Sequence, residues 1–556
     1  MPEQPLHKIE SLVRAAILAA QDAGDLPSFD LPPLVVERPQ REEHGDYATS
    51  AALQLAGTAR MPPLAIAEAI AARIPQTDFL AHVEVAPPGF VNFTLDDQWL
   101  VRHVEEILAA GESYGNLRLG QGQKVQVEYG SANPTGPLHV GSGRNTVIGD
   151  SLANVLEAAG YAVQREYYVN DAGTQMRLFA ETLYARYAQA LGRDESIPDD
   201  GYRGAYMVEM GDDIAREEGD RFLQMPREEA VAALYEIGLG KMLASISDDL
   251  RLMGITYDRW FSERSVYDSG LFDQVLAILR EEHYVVEREG AVWFASSELG
   301  DDKDNVLIRS DGEPGYLASD IAYHYDKFIG RGFDRVIDVW GADHQGHVPR
   351  MKAAMRAIGV DPDHLILIVY QLVTLRRGDE IVRLSKRTGD IVTLREVLEE
   401  IGADAVRFLL LGRAADSQMD LDLDLAKEQA AENPVYYVQY AHARIASILR
   451  YGQGIDFSEG DVSLLGHPAE LALIRHMLRL PEVIEKAVTS LSPHYLPYYA
   501  QELAGAFHPF YKQCRVVSSL PEDMPLNKAR LKLVAAAKIV LARVLALMGV
   551  SAPESM

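Results

Sequence analysis

The sequence predicts an α/β protein organised around a doubly wound parallel sheet, with a small α/β domain before it and an α-helical bundle after it. Three observations predict this architecture. An alternating strand pattern at 124–129 leads through a Gly- and Pro-rich loop into a helical pattern that ends at Gly160. The apolar runs 336–340 and 365–369 are typical of strands buried on both faces of a parallel sheet. From residue 431 onward, helical periodicity dominates.

Three domains follow from these patterns. Residues 1–112 form the N-terminal domain, because helical patterns near 8–22 and 62–74 alternate with short extended runs near 33–37 and 90–94. Residues 113–430 hold the sheet, with a mostly helical, acidic insertion near 178–255. Residues 431–556 form the bundle, with predicted helices near 432–451, 467–489, 494–516 and 526–548. Ligands of such a sheet bind at the carboxyl ends of its strands.

Composition sets the compartment and excludes several kinds of site. The chain has 556 residues, 47% of them hydrophobic, and a single cysteine, Cys514. One cysteine allows no disulfide within the chain and no Cys-rich zinc site, so we expect neither zinc nor another protein-bound metal. The first residues do not form a signal peptide, and the apolar stretch 531–549 is interrupted by Lys538 and Arg543. We therefore expect a cytoplasmic protein that does not enter a membrane.

The charge is strongly negative but unevenly distributed. A net charge of −29 argues against a nucleic-acid partner, because phosphate binding needs basic surface. Residues 431–556, however, carry 12 Lys+Arg and 11 Asp+Glu, whereas residues 1–110 carry 7 and 16. The bundle is therefore the part of the chain whose charge best permits an RNA contact.

The loop between the first strand and helix of the sheet carries the strongest functional signal. Residues 128–144 read Glu-Tyr-Gly-Ser-Ala-Asn-Pro-Thr-Gly-Pro-Leu-His-Val-Gly-Ser-Gly-Arg. The His and glycines lie at the helix start, where free N–H groups favour phosphate. A Walker loop is absent, and Thr146 stands where a dinucleotide loop needs its third glycine. A third interpretation is a His-x-Gly-His signature at residues 139–142, in which Gly141 admits adenine and His139 donates to phosphate.

A second basic segment lies downstream, after a predicted hairpin that turns at 378–379. It reads Arg383-Leu384-Ser385-Lys386-Arg387. Alone it would be a basic surface turn. Together with the first loop and with Tyr-Tyr-Val-Asn-Asp-Ala-Gly at 167–173, it resembles the class I bacterial arginyl-tRNA synthetase family over nearly the whole chain.

The resemblance implies a Rossmann-like catalytic domain that uses ATP, as its Mg²⁺ complex, to join L-arginine to tRNA(Arg). The implied catalytic residues are His139, Ser142, Arg383, Ser385 and Lys386. The implied ATP-binding residues are Pro137, His139, Gly141, Ser142, Gly143 and Lys386. Ser142 departs from the family, which usually carries a second His there, so Arg144 or Lys386 is expected to support the phosphates instead.

Arginine and tRNA each require their own chemistry. A guanidinium needs carboxylates and planar acceptors, and the residues that match the family's arginine pocket are Glu128, Asn133, Glu263, Tyr316, Asp320 and Gln345. Exposed rings can stack on unpaired bases. The residues that match its tRNA-contacting surfaces are Phe90, Asn92, Tyr437, Tyr440, Arg444, Phe507 and Tyr511, although buried rings would instead be core.

These features predict an arginine–tRNA ligase that is cytoplasmic and monomeric. Two alternatives remain at this stage. A non-catalytic RNA-binding relative is favoured by Ser142, and a dinucleotide oxidoreductase is disfavoured by the missing third glycine. Pyrophosphate exchange with each amino acid, with and without tRNA, separates the three.

Overall fold

The computed structural model describes residues 4–383 and 391–556, apart from the side chain of Glu42. The N-terminal part packs helices against a four-stranded antiparallel sheet of order β1-β2-β4-β3. Its elements are α1 (Pro5–Asp22), β1 (Val36–Glu37), β2 (Tyr47–Thr49), α2 (Ala51–Ala59), α3 (Pro63–Ala71), β3 (Leu80–Ala86), β4 (Phe90–Leu95) and α4 (Asp97–Ala110). The stripe of Ile9, Val13 and Ile17, spaced by four, buries one face of α1.

The middle of the chain builds the central sheet and its attachments. Its elements are β5 (Lys124–Glu128), α5 (Val140–Ala158), β6 (Ala162–Val169), α6 (Gly173–Ala190), α7 (Ala205–Glu218), α8 (Arg227–Leu252), β7 (Arg259–Ser262), α9 (Arg264–Asp268), α10 (Leu271–Glu281), β8 (Val285–Arg288), β9 (Ala291–Phe294), β10 (Asn305–Ile308), α11 (Tyr316–Tyr325), β11 (Arg335–Gly341), α12 (Val348–Ala357), β12 (Leu365–Tyr370), β13 (Val373–Arg377), β14 (Glu380–Ile381), α13 (Leu394–Ile401), α14 (Ala403–Leu410) and β15 (Met419–Asp422).

The central sheet is parallel throughout and confirms the predicted fold class. Its order is β12-β11-β5-β6-β7. The chain proceeds outward from β5 through β6 and β7, and then returns to the other side of β5 as β11 and β12. This reversal opens a crevice at the carboxyl ends of β5 and β11, where a doubly wound sheet binds its ligands.

The predicted helical insertion is present as α6, α7 and α8, which share their own apolar core. Helix α8 is long and apolar enough to pass a length-and-composition test for a membrane span, with a mean hydropathy of 1.3. Its Gly238, however, lies against Phe179 and Leu183 of α6, so α8 packs as a helix of the insertion. The three-stranded antiparallel sheet β10-β9-β8 was not predicted.

The C-terminal bundle contains α15 (Pro434–Tyr451), α16 (Pro468–Met477), α17 (Leu480–Thr489), α18 (Tyr495–Gln513) and α19 (Met524–Leu547). The single helix predicted over 467–489 is two helices. Pro481, the second residue of α17, has no N–H, so it cannot continue the preceding helix and instead lies in the first turn of a new one.

The N-terminal part docks on this bundle through ion pairs. They join Arg38 to Glu482 at 2.8 Å, Arg475 to Asp46 at 2.8 Å and Lys532 to Glu105 at 2.6 Å. The first pair is largely buried, which shields it from water and salt. The first and last parts of the chain therefore form one face-to-face contact.

Arg407 of α14 joins three parts of the molecule at one guanidinium. It is fully buried, donates from Nε to Met548 O at 2.7 Å and from Nη1 to Met253 O at 2.9 Å, and pairs with Asp150 of α5. The end of α19, the end of the insertion and the helix that follows the signature loop are thus tied together.

Candidate active site

The signature loop after β5 is fixed by side chains beneath it. Gly130 N donates to Asn145 Oδ1 at 2.7 Å, and Asn145 Nδ2 donates to Val339 O of β11 at 2.8 Å. The Tyr167 hydroxyl accepts from Ala132 N at 3.0 Å. The loop therefore sits at the crevice, held by α5, β6 and β11.

His139 caps the first turn of α5 with its own ring. Its Nδ1 accepts from Gly141 N at 3.0 Å and from Ser142 N at 3.3 Å. Burial lowers the pKa of the His139 ring, which favours the neutral form. Because Nδ1 accepts, the proton of the neutral ring lies on Nε2, which is free to donate to a ligand. Gly141 makes this cap possible, since a Cβ there would lie 2.8 Å from His139 Cε1.

His139 of the signature loop and Arg383, the first residue of the second basic segment, line one cavity of about 390 Å³. Leu394 N donates to Leu138 O at 2.7 Å, and His139 pairs with Thr393 across a β-bridge. The cavity is lined by His139, Val140, Gly141, Leu372, Val373, Thr374, Leu375, Ile381, Val382, Arg383, Ile391 and Val392. Arg383 and Ile391 flank residues 384–390, so the predicted Ser385 and Lys386 lie outside the described residues.

Four predicted residues near His139 are partly or fully enclosed by the protein. Arg144 is fully buried, and its guanidinium donates to Gln371 O at 2.7 Å and to Ala414 O at 2.8 Å. The expectation that Arg144 supports phosphate is therefore wrong, because its guanidinium is buried and both of its Nη atoms already donate to main-chain carbonyls. Ser142 is also buried, and Gly143 lies against the Leu394 side chain of α13. Pro137 remains half-buried in the loop.

Two carboxylates on the far side of the crevice, Glu263 and Asp320, form no ion pair among the described residues, although His324 and His344 act to lower the pKa of Asp320. Ser319 Oγ donates to Glu263 Oε1 at 3.0 Å, and the nearby Asp320 raises the pKa of Glu263 further. Burial raises the pKa of Glu263 to about 7 and that of Asp320 to about 6. The predicted Tyr316, one turn before Asp320, is exposed. A cation placed between these acids would restore both to their ionised forms.

Glu128 belongs to a buried ionic cluster that sequence reasoning missed. Lys327 Nζ lies 2.6 Å from Glu128 Oε2 and 2.8 Å from Asp338 Oδ1, while His324 Nε2 lies 2.8 Å from Asp338 Oδ2. Burial opposes ionisation of Asp338, but Lys327 and His324 outweigh it and lower its pKa. The sequence did hold a signal for this cluster. Positions 320, 324 and 327 repeat at helical spacing, which places three ionisable groups on one face.

The remaining predicted pocket residues lie at the rim. Asn133 is exposed and donates to Gln175 Oε1 of α6 at 2.7 Å. Gln345 is exposed in the 3₁₀ turn that follows β11. Both are at the carboxyl edge of the sheet, where the pocket opens.

The predicted tRNA contacts divide by exposure. Tyr440 stacks with Tyr436, and Arg444 lies over the rings of Tyr440 and Tyr511. A further ring, that of Tyr437, contacts the His508 ring at a centroid distance of 4.9 Å. These groups form an aromatic and basic patch on α15 and α18.

Two predicted tRNA contacts, Phe507 and Asn92, are buried in the structure. Phe507 is 1% exposed and Asn92 is 7% exposed, within α18 and the sheet strand β4 respectively. Stacking on a base requires an open ring face, so Phe507 serves the core of the bundle. Asn92 is likewise enclosed by the strands on either side, and Phe90 at the start of β4 is half-buried.

Three family models match successive parts of the chain. They are the arginyl tRNA synthetase N terminal domain at residues 7–95, the class I (R) tRNA synthetase catalytic domain at 103–447, and the DALR anticodon binding domain at 438–556. An arginine–tRNA ligase from Dehalococcoides mccartyi is 54% identical over 550 residues, which cover 99% of this chain and 98% of that protein.

Two further comparisons agree. An arginine–tRNA ligase from Heliobacterium modesticaldum is 48% identical over 558 residues, covering 99% of this chain and 98% of that protein. The solved arginyl-tRNA synthetase of Thermus thermophilus shares the fold, with a TM-score of 0.77 over the full length of both chains at 24% identity.

Proposed function

This chain belongs to the class I arginyl-tRNA synthetases, and on that premise we propose how its residues divide the work of an arginine–tRNA ligase. The enzyme activates L-arginine with ATP to arginyl-adenylate, releases pyrophosphate, and transfers the arginyl group to the 3′ end of tRNA(Arg). Membership of this family sets aside the oxidoreductase and the non-catalytic RNA-binding relative.

The observation that carries the substrate assignment is a pair of carboxylates, Glu263 and Asp320, that form no ion pair in the part of the chain that the structure describes and whose pKa values are raised. We propose that the arginine guanidinium lies between Glu263 and Asp320, with Tyr316 against its plane. A planar fork of donors matches two carboxylates, whereas the compact lysine ammonium does not. Buried acids whose pKa values are raised gain most from such a partner, since binding removes the cost of burying their charge.

The α-amino group of arginine is assigned to the opposite side of the crevice. Glu128 Oε2 is engaged by Lys327, which leaves Oε1 as the acceptor for an ammonium group. Asn133 and Gln345 at the rim supply further polar contacts. This arrangement directs the carboxylate of arginine toward the His139 loop.

ATP is assigned to the cavity that joins the two signature segments. His139 donates from Nε2 to a phosphate, while Gly141 and Arg383 line the same space. Lys386 retains its proposed role as the cation that stabilises the departing pyrophosphate, with Ser385 beside it. Mg²⁺ enters on the phosphates of ATP, where it offsets their charge.

We assign tRNA to two surfaces. The bundle offers the patch of Tyr437, Tyr440, Arg444 and Tyr511, which combines ring faces with a guanidinium. The N-terminal part offers Phe90. We propose that the enzyme works as a cytoplasmic monomer.

A single variant tests the arginine pocket. Asp320→Asn keeps the shape of the side chain but removes its charge, so the KM for arginine should rise by about tenfold or more while the KM for ATP changes little. Pyrophosphate exchange, run with each amino acid in the presence of tRNA, measures both. Asp302→Asn, at an exposed position of the same domain, is the matched control. Equal shifts in the two KM values would place Asp320 outside the pocket.

A further inference from the structure

The helical insertion reaches into the signature loop through one tyrosine. Tyr206, the second residue of α7, donates from its hydroxyl to Thr135 O at 2.6 Å. Thr135 is 8% exposed, so its carbonyl is largely removed from water. A buried carbonyl without a donor is costly, and Tyr206 meets that need.

The loop is shaped to receive this ring. Gly136 follows Thr135, and a Cβ at Gly136 would lie 3.3 Å from the Tyr206 hydroxyl oxygen and 3.4 Å from Cζ. A Cβ at this position would require the Tyr206 ring to move by a few tenths of an ångström. The glycine and the tyrosine are therefore a matched pair from two different parts of the chain.

The same stretch is stiff and leads directly to His139. Pro134 and Pro137 fix the backbone on either side of Thr135 and Gly136, because their rings lock φ. Leu138 O is then held by Leu394 N at 2.7 Å. A shift at Thr135 is thus carried toward His139 instead of being absorbed by a flexible loop.

We propose that Tyr206 is a positioning residue for the activation step. It holds the loop so that His139 Nε2 faces the ATP phosphates, and it makes the insertion a working part of the nucleotide site. This inference rests on the proposed role of His139. Tyr206 itself touches no reacting atom in this scheme.

The test is removal of one hydroxyl. Tyr206→Phe should lower kcat for pyrophosphate exchange by about tenfold, with the KM for arginine unchanged, because a misplaced loop weakens the transition state more than ground-state binding. Tyr187→Phe is the matched control, since its hydroxyl also donates to a carbonyl at 2.6 Å, that of Gly219, wholly within the insertion. A rate equal to the parent's, or an equal loss in Tyr187→Phe, would overturn the proposal.

A double-mutant cycle sharpens the result. Gly136→Ala should also lower kcat, and the added methyl should cost less once the Tyr206 hydroxyl is gone. The fold reduction in kcat of the double variant should therefore be smaller than the product of the fold reductions of the two single variants. Independent, multiplicative effects would show that the two residues do not act as a pair.

His139→Ala separates this inference from its premise. Unchanged exchange in His139→Ala would refute the proposed nucleotide site itself. Impaired exchange in His139→Ala, together with a normal Tyr206→Phe enzyme, would refute only the role of Tyr206.

Discussion

Glu263 and Asp320 show how a site can select a substrate when its own groups are costly to ionise in the free enzyme. Burial raises the pKa of both carboxyl groups, to about 7 for Glu263 and about 6 for Asp320. A neutral ligand leaves the free-energy cost of ionising these carboxyl groups unchanged, whereas a guanidinium offsets it. The same burial that penalises the free site therefore favours a cationic side chain over an uncharged one.

This predicts a specific pH dependence of arginine binding. The ionised acids bind the guanidinium, and both pKa values are raised in the free enzyme, so affinity should be full above about pH 7.5 and fall as the pH drops through 7 and then 6. Below the first pKa, one protonated group weakens binding by up to about tenfold per pH unit. Calorimetric titration of arginine at pH 8, 7, 6 and 5.5 measures this.

The proton balance gives an independent check of the same prediction. Binding near pH 6.5 should release protons, which calorimetry detects as a heat that changes with the ionisation enthalpy of the buffer. A flat affinity profile, or no proton release, would contradict the assignment. Asp302→Asn should reproduce the parent curve, since residue 302 is exposed.

Sequence reasoning at the residue scale located the helix start at His139, where the pattern is local, and failed where burial decides. His139 and Gly141 could be chosen because a helix start has a recognisable pattern. Arg144 looked equally suited to phosphate, yet it is enclosed and bound to two carbonyls. The prediction that Phe507 contacts tRNA was wrong for the same reason, because its ring is buried. Which face of a helix is buried depends on distant segments that a local pattern does not contain.

Among the elements, long periodic segments were predicted well. The strands expected at 336–340 and 365–369 are β11 and β12. The four-residue strands β8, β9 and β10 escaped prediction, because so short a run shows little alternation. Their pairing is set by contacts between strands, which a single segment does not reveal.

Helix α11 and the turn that follows it carry a charge arrangement that should matter for stability. Lys327 is fully buried between Glu128 and Asp338. Lys327→Met would leave these two acids without their cation and should cost about 3–5 kcal/mol, the usual penalty for breaking a buried pair. Urea denaturation followed by tryptophan fluorescence measures the loss, since Trp340 lies two residues after Asp338 in the same strand.

The control for this prediction is Lys303→Met, a change of the same size at an exposed position. It should alter the free energy of unfolding by less than about 0.5 kcal/mol. A similarly small effect for Lys327→Met would mean that the acids are protonated in the folded enzyme and need no cation.

For the whole molecule, the bundle and the signature helix are mechanically linked. Arg407 binds the end of α19 and Asp150 of α5 with one guanidinium, and α5 begins at the His139 cap. tRNA docked on the bundle can therefore bias the catalytic site, provided that it binds the competent state more tightly.

We predict that enzyme freed of RNA is slow in pyrophosphate exchange and that added tRNA(Arg) restores the rate. The coupling is reciprocal for binding, so arginine and ATP together should tighten tRNA binding by the same factor by which tRNA tightens theirs. Exchange assays with and without tRNA, and filter binding of tRNA with and without the small substrates, measure both. A full rate without tRNA would reduce the bundle to an affinity module. A non-cognate tRNA is the control.

The docking of the N-terminal part on the bundle has a consequence for biosynthesis. The partners of Arg38, Asp46 and Glu105 are Glu482, Arg475 and Lys532, which lie 444, 429 and 427 residues further along the chain, so the contact closes only after those residues have left the ribosome. At about 5–20 residues per second, this takes roughly 20–90 s. For that time the first domain carries an uncovered face on a nascent chain. The charged side chains of Arg38, Asp46 and Glu105 on that face favour the solubility of the waiting intermediate.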